Sequence, residues 1–390
     1  MTTRFIGQRG RLFRMAFFMG LLTVLTVGFY RFWMKTRLRR YYWSSIRIGS
    51  HHLEYVGQPL EKLLGFFIAV VILAFYIGIV NLILMVISFS LFDGNTAAYI
   101  ASFVGVIPLW FYARYRARRY VLARTRWRGI RFGVDPGAWG YAWRAMVHWS
   151  LTILSLGLLW PRMTFWLEKF RIDRTWYGDR QIEQGGNSTM LIKGMLPFWL
   201  VVALTVAAGV HSYLSDDVEI AAFALIAAVP MLAVTWAWYS VRSFRLLTNA
   251  KSAGNIHFLS KARAPRVIGI YIFGYTVTWI LTSIAAGIAA VVFLAVWLVS
   301  IGEGFSFEAV ENLANPGLTL QIAGFAIYFI VFVIWASLRH VFVTLPIWRH
   351  YADTLTLIGT ESLHDIRQRE RDEHREAEGF AEALDLGAAI

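Results

Sequence analysis

Nine histidines, 24 carboxylates and 38 basic residues are the side chains through which this 390-residue chain could do chemistry. Spacing decides which chemistry. His51 and His52 are adjacent, so on a strand they point to opposite faces and cannot share a metal. His340 and His350 lie ten apart, unlike the i, i+4 pair of a helical zinc site. The sequence contains no Gly-x-Ser-x-Gly elbow, no phosphate-binding P-loop and no dinucleotide fingerprint, and no pair of carboxylates stands out for hydrolysis. Cysteine is absent, which removes disulfides, thiolate metal sites and cysteine nucleophiles. The expectation is a protein that is not an enzyme, with no catalytic residue, metal or cofactor.

Arginine remains. It clusters with aromatic residues, as in "FYRFWMKTRLRRYYW" at 29–43. Arg37, Arg39, Arg40, Arg116, Arg118 and Arg119, with Arg171 and Arg245, are the candidate contacts to anionic headgroups, because a guanidinium takes phosphate bidentately. The plainer reading is a topology signal with generic attraction to anionic lipid, worth ~1 kcal/mol per basic residue near the surface. Interleaved arginine and aromatic residues could also bind nucleic acid, and a net charge of +14 invites that reading. The distribution of charge excludes it. Lys and Arg fall into six blocks, at 4–14, 31–62, 114–144, 162–193, 242–266 and 339–375. The polar links at 93–96, 215–219 and 302–316 hold only acids. This segregation is the positive-inside pattern, and Trp and Tyr beside the clusters form an aromatic belt.

The elements that carry these collars follow from composition. Residues are 57% hydrophobic and 16% charged, against ~25% charged in a soluble domain. Runs at 63–92, 97–113, 195–214, 218–241, 267–301 and 317–338 approach or exceed the ~20 residues needed to cross a bilayer. Two shorter runs, 15–30 and 145–161, have arginine at both ends. Keeping every basic block on one side makes them re-entrant. The expected fold is a mainly α-helical polytopic membrane protein with six full spans, two re-entrant or short segments and both termini cytoplasmic. Eight spans is the alternative. The polar residues Asn81, His211 and Gln321 inside the runs read as helix–helix contacts, and ion coupling lacks its usual intramembrane charges.

An offset of 129 residues aligns 21–67 with 150–196. Leu22, Thr23, Gly28, Met34, Gly49, Glu54, Gly57 and Gly65 recur as Leu151, Thr152, Gly157, Met163, Gly178, Glu183, Gly186 and Gly194, which indicates an internal duplication. After each basic helix end comes a β-prone segment centred on a glycine: Gly49, Gly129, Gly178, Gly254 and Gly359. Five short cytoplasmic β-hairpins are expected, either pairing into a small sheet or standing as independent loops. Residues 1–361 form the membrane domain of repeated helix, collar and hairpin units. Residues 362–390 form a charged cytoplasmic tail, and deleting 364–390 should leave the membrane fold intact.

The stretch "TVGFYRFWMKTRLRRYYWSSIRIGSHHLEYVGQPLEKLLGFF" resembles the repeated segment of the YjgN-like bacterial inner-membrane proteins, a family of unknown function. The matching residues are Gly28, Trp33, Lys35, Arg37, Arg40, Tyr41, Glu54, Tyr55 and Gly57. The second copy keeps Gly157, Trp166, Lys169, Phe170, Glu183 and Gly186 and departs at Pro161-Arg162 and Gln184. The resemblance covers about residues 10–360 and implies a polytopic inner-membrane protein, with no established activity. Three functions are compatible with these residues. One is binding or non-ion-coupled handling of lipid or another amphiphile at the cytoplasmic leaflet, with anionic membrane lipids as partners. Another is a scaffold for an unidentified membrane-protein partner, and the third is a transporter or channel.

Overall fold

The computed structural model describes residues 1–91, 97–301 and 318–369. Short strands flank a glycine at four basic helix ends. β2 (Ile46–Ile48) and β3 (His51–Tyr55) reverse at Gly49, and β4 (Thr125–Trp127) and β5 (Ile130–Val134) reverse at Gly129. β6 (Thr175–Tyr177) and β7 (Arg180–Gln184) reverse at Gly178, and β8 (Lys251–Ala253) and β9 (Ile256–Ser260) at Gly254. These glycines hold φ between +56° and +79°, the left-handed region that tight hairpin turns require. The fifth expected hairpin is absent. β10 (Leu355–Ile358) ends at Gly359, and a 3-10 turn at Thr360–His364 follows instead of a return strand.

The hairpins do not stand alone. Each pairs antiparallel with the next, through Leu53↔Trp127, Phe132↔Tyr177, Glu183↔Ser252 and Leu357↔Phe258. An N-terminal strand β1 (Thr3–Phe5) pairs with β2, and Thr2 bridges to Thr356 beside β10. The Met1 nitrogen donates to the Leu357 carbonyl at 2.6 Å, and the Leu357 N–H donates back to the Met1 carbonyl at 2.8 Å. Ten strands in chain order make one nearly closed antiparallel barrel.

This barrel corrects the expected fold of spans joined by short hairpins. The span count is corrected too. Among the described residues, four helices are long and apolar enough to cross a membrane: Ser188–Ser215, Val218–Asn249, Ala264–Ala295 and Gln321–Asp353. Neither six full spans with two re-entrant segments nor eight spans describes the chain. The helices α1 (Arg9–Leu25), α2 (Arg31–Ser45), α5 (Ala138–Leu154) and α6 (Trp160–Ile172) have only 13 to 17 residues. α4 (Ala97–Ala123) carries Arg114, Arg116, Arg118 and Arg119 in its second half. α3 (Pro59–Leu91), of 33 residues, precedes α4. Asn81 lies on α3, the acidic links around Asp93 and Glu303 lie outside the described residues, and His211 is exposed.

The chain packs as two units. The first comprises Met1–Phe5, Tyr42–Pro265 and the chain from His350 onward, and it contains the barrel. Trp127, Tyr177, Ala253, Ile256 and Leu357, from five different strands, pack with Leu363 and Ile366 into one apolar core. The buried Tyr177 hydroxyl donates to the Trp127 carbonyl at 3.0 Å, and burial pushes its pKa up to about 12. The segment after Gly359 lies across the hairpin turns. The Asp179 N–H donates to the Arg367 carbonyl at 2.9 Å, and the Arg131 N–H donates to Gln368 Oε1 at 2.9 Å. Residues 362–369 therefore belong to the barrel's packing.

The membrane hairpin of this unit is α7 (Ile192–Ser215) and α8 (Val218–Asn249). Between them Asp216 takes φ +56°, and Asp217 caps α8 by accepting from the Glu219 N–H at 3.0 Å, as an acidic N-cap should. The second unit, Ile6–Tyr41 and Arg266–Arg349, holds α1, most of α2, most of α9 (Ala264–Ile301), and α10 (Leu318–Arg339). α10 passes through a π-helical turn, His340–Thr344, into α11 (Leu345–Asp353), and Gly274 on α9 lies tightly against the Phe342 carbonyl.

The runs 15–30 and 145–161 each end in a reversal. In the first, Val27 (φ +50°) and Gly28 (φ +92°) turn the chain from α1 into α2. The Gly28 N–H donates to the Thr23 carbonyl at 2.7 Å, and the Tyr30 N–H donates to Thr26 Oγ1 at 2.9 Å. At an offset of 129 residues, Leu156 (φ +50°) and Gly157 (φ +86°) turn α5 into α6. There the Gly157 N–H reaches the Thr152 carbonyl at 2.8 Å, and the Leu159 N–H reaches Ser155 Oγ at 3.1 Å. Both tips present apolar side chains: Val27 is 90% exposed and Leu156 is 92% exposed. Gly157→Ala should destabilise the tip by about 1–2 kcal/mol, the cost of left-handed backbone for an L-residue. Hydrogen exchange of residues 150–163 would read it. Gly209→Ala, on α7 where a Cβ meets open space, should leave exchange unchanged.

Candidate functional site

Above the barrel core, the second helical hairpin leans on the membrane helices of its own unit. Phe165 of α6 packs with Leu191, Met195, Tyr239 and Leu247. The Tyr239 hydroxyl donates to Thr164 Oγ1 at 2.9 Å. Gln184, at which the second copy departs from the repeated pattern, is a buried tie. Its side chain donates to the Leu247 carbonyl at 3.0 Å, its own carbonyl accepts from Lys169 Nζ at 2.8 Å, and its N–H reaches Asp173 Oδ1 at 2.8 Å.

Toward the tip, this packing opens into a groove of about 710 Å³, within the ~300–1,000 Å³ range of ligand sites. Four tryptophans define it: Trp149 on α5, Trp160 on α6, Trp199 on α7 and Trp236 on α8. Trp149 meets Trp160 edge to face at 5.2 Å, and Trp160 meets Trp236 at 4.9 Å. Two of its polar side-chain atoms are engaged within the protein. Thr152 Oγ1 donates to the His148 carbonyl at 2.7 Å, and Trp199 Nε1 donates to the Gly157 carbonyl at 3.4 Å. Ile153 and Leu156 on the lining are largely exposed, so the groove is open at the tip.

The other copy has no counterpart of these rings. At the same offset, Trp149 corresponds to Gly20 and Trp160 to Arg31. A Cβ on Gly20 would strike Val333 of α10. Glycine thus lets two helices close where tryptophan holds them open.

The basic residues singled out from the sequence fall into different settings. Arg118 and Arg171 come together around Glu168. Arg171 donates to Glu168 at 2.6 Å and Lys251 donates to it at 2.9 Å, with side chains 15–23% exposed. Burial alone would push the Glu168 carboxyl up, but Lys251, Arg171 and Arg118 overcome that and hold it well below the usual carboxylate range. Arg171 is therefore engaged within the protein. Arg116 donates to the Tyr112 hydroxyl at 2.9 Å, and Arg119 lies near Tyr115. In the second unit, Arg39 is buried while Arg37 and Arg40 are exposed. Arg245 is half-buried on α8. Elsewhere arginines stack on rings, as Arg174 does over Phe170 at 3.7 Å and Arg369 over Trp176 at 4.0 Å.

The family model for bacterial proteins of unknown function designated DUF898 matches residues 1–383. The chain belongs to the DUF898 family. That membership agrees with the YjgN-like resemblance of its repeated segment, and with the four apolar helices it makes the chain a bacterial multi-pass membrane protein. No curated protein and no solved structure matches the chain. For this DUF898 chain, the residues that sequence reasoning missed are the groove tryptophans. Trp199 and Trp236 sit inside apolar runs, away from the basic collars, and the mismatch of Trp149 with Gly20 between the copies was the available signal.

Proposed function

We propose that this protein binds the apolar chain of a membrane amphiphile in the aromatic groove, without ion coupling, and that the repeated units arose by duplication with only one copy specialised for the task. The observation that carries the reading is the groove itself, with its apolar, tryptophan-rich walls and its position on membrane helices. Trp236 lies six residues from Arg242 on α8, about 9 Å at ~1.5 Å per residue, and Leu232 lies about 15 Å away. Those depths lie within one leaflet of a ~30 Å hydrocarbon core. The arginine collars face the cytoplasm of the inner membrane in this proposal, with both termini inside. The reading is of a binding protein rather than an enzyme, because the groove offers shape and apolar area and no acid–base pair.

A diazirine on the acyl chain of phosphatidylcholine tests it in vesicles. Cross-links should concentrate on 149–160, 195–202 and 232–236. Trp149→Gly should cut them to about half or less, since an aromatic ring supplies most of the contact area at such sites. Labels scattered evenly over all lipid-facing helices would defeat the reading.

A further inference from the structure

Past the groove lining, toward the basic end of α8, stand cations that no acid among the described residues neutralises. Arg242 lies two turns from Trp236 toward the basic end of α8, and its Cδ and Cγ pass 3.3 and 3.6 Å from where a Cβ on Gly194 would stand. Its Nε is buried and makes no hydrogen bond. Among the described residues, neither Arg242 nor Arg245, one turn further, nor Lys193 beside Gly194 has an acidic partner. Five other cations of this unit do have acidic partners: Arg171 and Lys251 pair with Glu168, Arg124 with Glu61, Lys169 with Asp173 and Arg369 with Asp135. Gly194 is what permits the approach, because a side chain there would crowd the Arg242 stem.

We infer that the groove takes an anionic phospholipid, with one acyl chain between the four tryptophans and its phosphate received by Arg242 and Lys193. This rests on the apolar-chain reading above and adds the headgroup class. Charge complementarity selects the occupant: an apolar slot one leaflet deep, with Arg242 about 9 Å beyond Trp236 on α8 and Lys193 two residues before Met195, matches a molecule with an apolar tail and an anionic head. A guanidinium whose stem is buried and whose head is free suits phosphate through paired N–H donors. A zwitterionic lipid fills the slot equally well but brings its own cation to the basic end. Arg245 extends the positive field without belonging to the contact.

The test uses the full-length protein in nanodiscs of phosphatidylglycerol and phosphatidylcholine at 1:3. Lipids retained after detergent release are counted by class in native mass spectrometry. Wild type should retain phosphatidylglycerol well above its share. Arg242→Gln with Lys193→Gln should lower that selectivity about fivefold per charge removed while total retained lipid stays constant. Trp149→Gly should reduce retention of both classes. Equal selectivity in wild type and the double glutamine variant would overturn the headgroup assignment and leave the apolar-chain reading standing. Retention unaltered by Trp149→Gly would overturn both. A lipid-free dimer in place of the lipid-bound monomer would assign the groove to a second copy and also overturn the inference. Matched thermal unfolding of the variants and wild type guards against misfolding.

Discussion

Glu168→Gln should be the most damaging single substitution in the barrel unit. It removes the one carboxylate that Arg171 and Lys251 contact and whose field Arg118 shares, and it leaves three largely buried cations facing one another. Breaking a buried pair in this way costs about 3–5 kcal/mol, since the remaining charge keeps its desolvation penalty and loses its counterion. The expected readout is a fall of about two to four orders of magnitude in hydrogen-exchange protection of β6–β8 amides. Glu183→Gln, on an exposed strand position, should change nothing comparable.

The pH dependence follows from the direction of the shift. The Glu168 carboxyl is held below its ordinary value in the folded protein. The stabilisation is therefore complete above the unfolded value of about 4.3 and is lost as pH falls through the lower folded value. Wild type and Glu168→Gln should differ fully between pH 5 and 8 and converge only in stronger acid. Convergence near pH 6 would mean that the carboxylate is not held by these cations.

Ending the chain at Ile358 should open the barrel, whereas ending it at Arg369 should not. The shorter chain loses Leu363 and Ile366, each about 95% buried, worth about 1.5–3 kcal/mol apiece. It also loses the Arg367 and Gln368 hydrogen bonds to the hairpin turns and the Arg369–Asp135 ion pair at 3.2 Å. Exchange of β4–β6 amides should speed up sharply, and an apolar dye should gain fluorescence from the uncovered core. The chain ending at Arg369 should match wild type on both measurements. If the two truncations behave alike, the segment 360–369 is not what covers the core. Ending the chain at Leu363, the deletion of 364–390 that the charge-dense composition made look harmless, should resemble the shorter truncation because Ile366 goes with it.

The features readable from the sequence were local. A glycine between β-prone triplets sets a two-residue reversal by itself, so Gly49, Gly129, Gly178 and Gly254 marked their turns. Gly28 and Gly157 likewise marked the tips, through an offset that composition alone would not produce. Pairings between distant segments were not readable in this way. Leu53 meets Trp127 across two long helices, and three residues at Thr3–Phe5 carry no periodicity that would distinguish a strand from an unstructured end. A basic collar reads as one class of residue along the chain. Only three-dimensional placement separates Arg171, neutralised by Glu168, from Arg242, which has no acidic partner among the described residues. Span counting failed because hydropathy measures apolar length alone: the runs 63–92 and 97–113, counted as spans, fall on α3 and α4, which are not among the four membrane-length apolar helices of the described residues.

The closure of the barrel by Thr2 and Met1 against Thr356 and Leu357 has a consequence for biosynthesis. β1 and its outer neighbour β10 lie about 350 residues apart in the chain, so the ring stays open while everything between them is translated and inserted. At ~5–20 residues per second that interval is roughly 20–70 s, far longer than a hairpin takes to zip. During it, the edges of β1 and of each newly finished hairpin are exposed to other nascent chains, and the final strand acts as a latch.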